Sequence, residues 1–230
     1  MKIAGLQPLS LIDYPEKNST VVFTQGCPFR CAFCHNPELI PVDATAPGMS
    51  EQDVFEHLKK YQHMLDGVCI TGGEPTIQPD LEESIRKIKA LGLAVKLDTN
   101  GVHPEKVQRL LDQKLIDYLA MDLKHTWGKY DQVVRVANPA VIENCRRTFE
   151  LIQNSGVGHE FRTTIFPGVH TEKDFEIMAG YLKPGEKYFI QATRFTKTLD
   201  PDLAHDFGFA LPGLIVKLQS LYPQLIIDER

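Results

Sequence analysis

Three of the five cysteines fall within eight residues, in the order Cys27-x3-Cys31-x2-Cys34. Thiolates at these separations on one loop can converge on a soft metal centre. An odd number of cysteines, so unevenly placed, does not describe a disulfide framework. Two metals suit the spacing. A cubane iron–sulfur cluster has four irons, so three cysteines leave one iron without a protein ligand and open to a reactant. The alternative is a structural zinc ion completed by His35. Closed zinc sites usually join two ligand pairs well apart in sequence, whereas every candidate here lies within nine residues. The spacing favours the cluster and leaves zinc open. Cys69 lies inside a strand-like run and Cys145 on the apolar stripe of a helix, where each reads as a small core residue. With no further cysteine group, a second iron–sulfur centre is not expected.

The other residues able to do chemistry stand at the ends of short apolar runs. Six such runs, Ser19–Thr24, Val68–Thr71, Leu93–Leu97, Asp117–Met121, Glu160–Ile165 and Lys187–Gln191, have the composition of strands buried on both faces. Their polar tips are Gln25–Gly26–Cys27, Thr71–Gly72–Gly73–Glu74–Pro75, Asp98–Thr99–Asn100–Gly101, Asp122–Leu123–Lys124–His125, Arg162 with Pro167–Gly168, and Gln191. Helical patterns separate the runs and carry their own punctuation. Ser50 with Asp53, Asp80 with Glu83 and Thr171 with Asp174 read as N-terminal caps; Pro104 and Asn138–Pro139 open two more helices, and a last one spans Pro212–Tyr222. Leu225–Asp228 adds an edge strand.

Strand and helix alternating without hairpin signals predict βαβ units and a parallel sheet, an α/β fold. Six units are too few for a complete eight-fold barrel, which takes about 250 residues. The tips following the C-terminal ends of the strands favour a partial (β/α)6 TIM-like barrel over a doubly wound sheet, with one site assembled on the rim. No linker or change in composition divides residues 1–230, so one domain is expected. A net charge of −5 without Lys/Arg runs argues against nucleic-acid or anionic-membrane partners. No apolar run approaches the roughly 18 residues of a membrane span, and no secretory signal is visible, so the expected location is cytoplasmic.

Cys27-x3-Cys31-x2-Cys34 with Phe33 before the third cysteine resembles the signature of the radical S-adenosylmethionine superfamily, and Thr71–Gly72–Gly73–Glu74–Pro75 resembles its GGEP segment. Cys34–His35–Asn36, Asp98–Thr99–Asn100–Gly101 and Asp122–Leu123–Lys124 resemble the glycyl-radical-enzyme activating enzymes. The opening Ser10–Leu11–Ile12–Asp13–Tyr14–Pro15, with Val21–Val22–Phe23–Thr24–Gln25–Gly26–Cys27, is most similar to the anaerobic ribonucleoside-triphosphate reductase activating proteins. One departure is Glu16, where that group has Gly after Tyr–Pro.

The resemblance implies that Cys27, Cys31 and Cys34 hold a 4Fe–4S cluster whose open iron is chelated by S-adenosylmethionine. One electron then cleaves a C–S bond to methionine and a 5′-deoxyadenosyl radical, which abstracts hydrogen from a glycine of a partner protein. It places Phe33, Gly72, Gly73 and Glu74 at the cofactors, the glycines letting backbone approach the ligand. It implies that Asp98 and Asp122 hold a monovalent cation against the methionine carboxylate, since two bare carboxylates would repel that anion. Lys124 and Arg162 would add positive charge near the carboxylate and ribose, with a salt bridge to neighbouring carboxylates as the plainer role for Arg162. Gln191 would reach the ribose or adenine. The implied partners are a glycyl radical enzyme, in particular anaerobic ribonucleotide reductase, and flavodoxin or ferredoxin as electron donor. A radical enzyme acting on a small molecule, of the 7-carboxy-7-deazaguanine synthase type, is the alternative with the same cluster. His125 and His170 lie on rim loops within reach of a substrate, and Trp127 with Tyr130 suits either a docking surface or loop packing.

Overall fold

The structure, a computed structural model, describes residues 1–42, 48–136 and 138–230. Eight strands form one sheet in sequence order: β1 (Ile3–Ser10), β2 (Ser19–Thr24), β3 (Gly67–Gly72), β4 (Ala94–Thr99), β5 (Tyr118–Asp122), β6 (Gly158–Thr164), β7 (Lys187–Gln191) and β8 (Ile226–Glu229). From β2 to β8 every neighbouring pair is parallel. The helices between them are α1 (Glu51–Tyr61), α2 (Leu81–Ala90), α3 (Pro104–Asp112), α4 (Tyr130–Val134), α5 (Pro139–Asn154), α6 (Glu172–Ala179) and α7 (Leu211–Leu221). All six expected inner strands are present, and Leu225–Asp228 becomes β8 with its start shifted by one residue. Among the described residues no helix is long and apolar enough to cross a membrane.

Strand β1 is the exception to the all-parallel expectation: it runs antiparallel to β2, with two irregularities in register. Its sequence carries Gly5 and Pro8 and lacks a clean alternation. Pro cannot complete a ladder and belongs on an edge, which is where β1 lies. The turn between β1 and β2 holds Glu16 at φ 61°, in the left-handed region where a glycine would sit without strain. The departure from the Tyr–Pro–Gly pattern is therefore accommodated by the same backbone shape.

Caps are realised where the side chain can reach the third helical amide. Ser50 accepts from the Asp53 N–H, and Thr171 and Asp174 form a reciprocal box. Asp80 makes no such bond; its carboxylate takes the ammonium of Met1 instead.

The two faces of the sheet differ in kind. Val68 and Ile70, Val95 and Leu97, Leu119 and Met121, and Phe161 join Leu58, Ile85, Ile88, Leu110 and Ile152 of the helices in one apolar core. Each fully buried aliphatic chain contributes about 1.5–3 kcal/mol. The opposite face carries Cys69, Lys96, Asp98, Tyr118, Asp122, Glu160 and Arg162. These are in register across the strands: Cys69 beside Lys96, Lys96 beside Tyr118, and Asp122 beside Arg162. A period of two on strands with fixed neighbours thus gives an oily outside and a charged inside.

Candidate active site

The cysteine loop leaves the end of β2 and is pinned from both directions. Gly26 N–H donates to the Leu39 carbonyl at 2.7 Å and Cys27 N–H to that of Ile40 at 3.0 Å, while the Gln25 side chain donates to the carbonyls of Glu38 and Pro41. Across the rim, Gly73 N–H donates to Thr24 O at 2.9 Å and Glu74 N–H to Gly26 O at 2.8 Å. This contact explains the paired glycines. A Cβ on Gly72 would come within 2.5 Å of the Thr24 carbonyl oxygen, and one on Gly73 within 2.7 Å of the Gly26 carbonyl carbon. Gly72 also has φ +116°. The glycines therefore let the end of β3 press on the chain's own backbone at the root of the cysteine loop.

Glu74, fully buried, ties this corner to the next strand. Its carboxylate accepts from Thr76 N–H at 3.0 Å and Thr76 Oγ1, from Thr99 Oγ1 at 2.8 Å and from Asn100 N–H at 2.6 Å. Burial pushes its pKa up against the pull of those donors. Asn100 then turns its side-chain amide onto Cys27 Sγ at 3.7 Å, a donor contact that suits a thiolate sulfur. Asn100 is a site residue that sequence reasoning placed in a motif without giving it a role.

Burial pushes all three thiols up, Cys27 to about 12 and Cys31 to about 11, with Lys124 pulling each of them down. Lys124 thus acts on each member of the triad, and its Nζ stands 5.7 Å from the centre of the Phe33 ring. Phe33 itself is buried edge-on against Phe166. The donor set suits a cluster better than the zinc alternative. His35, the residue that would complete a zinc site, has its Nε2 engaged as acceptor from the Arg194 N–H at 3.0 Å.

Beneath the cysteines lies a chain of ion pairs inside the barrel. Arg162 bridges Asp98 (3.0 Å) and Asp122 (3.3 Å); Lys124 pairs with the second oxygen of Asp122 at 2.8 Å, and Lys96 with Asp98. Glu160 and Arg230 continue it downward. Burial would raise Asp98, but Arg162 and Lys96 hold it at about 2. Asp122 is lowered in the same way by Lys124 and Arg162. Asp98, Asp122, Lys124 and Arg162 therefore come together, and the salt-bridge role of Arg162 is realised. Gln191 stands apart, its Oε1 taking the Thr164 hydroxyl at 3.3 Å. Lys96 was missed, although a lysine inside an otherwise apolar strand was the signal for it.

His125 and His170 are buried behind the rim, ring centroids 4.5 Å apart. His170 Nδ1 accepts from Phe166 N–H, which leaves Nε2–H to donate to the Lys124 carbonyl at 2.9 Å. It supports the Asp122–Lys124 segment from below. Burial first, then the His125 charge, depress His170 to about 3. The unfolded chain takes this proton near pH 6.5 and the folded chain only near 3, so the contribution declines as pH falls through that window, by about 1.4 kcal/mol per pH unit. His170→Asn should show a shallower loss of melting temperature between pH 6.5 and 5 than the parent, measured by thermal circular dichroism. Trp127 stacks on Tyr130 and Tyr181 and meets Phe149 edge-on, which is loop packing.

The segment after β7 crosses over the cysteine loop. Besides Arg194 on His35, Asp200 N–H donates to Ala32 O at 3.0 Å, Lys197 pairs with Glu38 at 2.8 Å, and Asp200 pairs with Arg135 at 3.6 Å.

The Radical SAM superfamily model matches residues 21–182. A protein of Methanocaldococcus jannaschii, named by inference a glycyl-radical enzyme activating enzyme, is 36% identical over 192 residues, 82% of this chain and 78% of its own. The pyruvate formate-lyase-activating enzyme of Staphylococcus epidermidis is 26% identical over 171 residues, covering 70% of this chain and 66% of that one. Among solved structures, Streptococcus suis SuiB bound to S-adenosylmethionine superposes with a TM-score of 0.69 at 14% identity over 90% of this chain. The match takes in 48% of SuiB, so this chain spans about half of that protein's length, and the likeness is one of fold.

Proposed function

This chain belongs to the radical SAM superfamily, and from that premise we propose that it is a glycyl-radical-enzyme activating enzyme whose partner is an anaerobic ribonucleotide reductase. The superfamily's chemistry runs on a 4Fe–4S cluster and S-adenosylmethionine. When bound, they supply one-electron cleavage of the sulfonium to methionine and a 5′-deoxyadenosyl radical able to take hydrogen from a glycine Cα. The chain's own residues divide the remaining work. Cys27, Cys31 and Cys34 hold the cluster, and Asn100 donates to the Cys27 sulfur. Glu74 locks the cysteine loop to the end of β4. Lys124 and Arg162 would supply positive charge to the methionine carboxylate, with Asp98 and Asp122 fixing both cations in place.

One observation carries the reading: Lys124, 5.7 Å from the Phe33 ring inside the cysteine loop, pairs with Asp122 at 2.8 Å and so joins that loop to the interior ion chain. The likeness to the activating enzymes supports a protein glycine as substrate, and the Ser10–Pro15 opening supports the reductase as partner. Flavodoxin or ferredoxin would deliver the electron.

The test is anaerobic reconstitution with iron and sulfide, reduction by dithionite, and addition of S-adenosylmethionine with and without a candidate reductase. Activation predicts 5′-deoxyadenosine by chromatography and a glycyl radical doublet on the reductase by electron paramagnetic resonance. Deoxyadenosine without a protein radical on any glycyl radical enzyme would turn the reading to the small-molecule class.

A further inference from the structure

Lys96 sits at the centre of β4 and is wholly buried. An ammonium group there is costly unless it is paired and hydrogen-bonded. Its Nζ bonds one oxygen of Asp98 and donates to Cys69 Sγ at 3.8 Å. The other Asp98 oxygen takes Arg162 at 3.0 Å; of Asp122, one oxygen takes Arg162 at 3.3 Å and the other Lys124 at 2.8 Å. All four oxygens of the aspartate pair therefore face a protein cation. Through the connected pairs Arg230, Glu160, Arg162, Asp98, Lys96, Asp122 and Lys124, four cations meet three carboxylates. Within this set of connected pairs, cations outnumber carboxylates by one.

An alkali ion between Asp98 and Asp122 does not fit this donor set. Hard cations want several oxygens free to turn toward them, and here each oxygen already faces a protein cation with which an added ion would have to share it. The ion would also stand beside a guanidinium and two ammonium groups. The sequence placed a cation at this point because two bare carboxylates repel an anion; the chain answers that repulsion with its own side chains.

We propose that Lys96 is a built-in cation which, with Arg162, takes the place of a monovalent metal ion at the aspartate pair, so that this chain binds S-adenosylmethionine without any alkali cation. The inference rests on the reading of the site as an S-adenosylmethionine site. Lys96 is a positioning residue: it acts through Asp98, whose second oxygen aims the Arg162 guanidinium.

The test compares potassium, sodium and choline chlorides at one ionic strength. Calorimetric titration of S-adenosylmethionine into the reconstituted protein should give dissociation constants within twofold in all three salts. The melting temperature of the cluster-free protein should likewise not distinguish them. Lys96→Met, which keeps the stem and removes the charge, should melt higher in potassium or sodium than in choline and bind S-adenosylmethionine more weakly in choline. Parent protein whose affinity falls tenfold or more in choline and returns with potassium would overturn the proposal, as would a Lys96→Met protein indifferent to the salt. If the variant does not fold, the parent's salt series decides alone. Absence of binding in every salt would instead remove the S-adenosylmethionine reading, and this inference with it.

Discussion

Cys31→Ala protein, reconstituted anaerobically with iron and sulfide, should stay pale and give no more 5′-deoxyadenosine than a protein-free control. Cys31 is buried, and its loop is fixed by backbone bonds on either side, which opposes the rearrangement a substitute ligand would need. Two remaining thiolates leave a second iron without a protein ligand, and a cluster so held exchanges its irons with solution. Cys145→Ala is the control, because its thiol lies in the apolar core on α5 and is not one of the clustered triad. It should keep the brown colour and the activity at the cost of a small cavity. A Cys31→Ala protein that retained either the colour or the cleavage would remove the cluster assignment. Raising the pH should favour assembly in the parent, since buried thiols held near 11 and 12 must release protons as they bind iron.

Arg162→Leu is expected to produce the largest loss of stability in the barrel interior. Arg162 lies between Asp98 and Asp122 and reaches toward Glu160, so its removal leaves buried carboxylates short of a partner. Breaking a buried pair from one side costs about 3–5 kcal/mol. The pH dependence gives a second signature. In the parent, Asp98 is held at about 2, so its contribution is complete above its unfolded value and is lost as pH falls through the folded one. Without Arg162, Lys96 alone opposes the burial that raises Asp98, so protonating it costs the folded state less. The variant's deficit against the parent should therefore narrow as pH is lowered from 7 toward 5, in denaturant titrations at matched ionic strength. A deficit that stays constant would place the loss in packing alone.

The parts of the fold written as local patterns were legible. Six β-branched runs became six strands, Ser50 and the Thr171–Asp174 pair capped the helices they announce, and the tips of those strands do share one rim. What could not be read depends on which strands are neighbours. Lys96 is one charged residue in an apolar run until β3 and β5 bring Cys69 and Tyr118 beside it. The reach of Asn100 to Cys27 spans 73 positions and follows from the Glu74 node, which no period reveals. Strand β1 was hidden because an edge strand need not alternate. Gly72 and Gly73 were singled out as glycines that let backbone approach a ligand, and a second surface they approach is the backbone of Thr24 and Gly26. Only the packed sheet identifies it.

The strap of residues 194–200 across the cysteine loop has a bearing on the life history of the molecule. The His35–Arg194 bond joins positions 159 apart, and the Ala32–Asp200 bond joins positions farther apart still. Chains are made from the N-terminus at about 5–20 residues per second. The three thiols thus leave the ribosome many seconds before the segment that shapes their loop exists. During that interval they are reactive groups on an unfinished surface, open to oxygen and to stray metals. The loop that would hold iron is accordingly finished only after translation has passed β7.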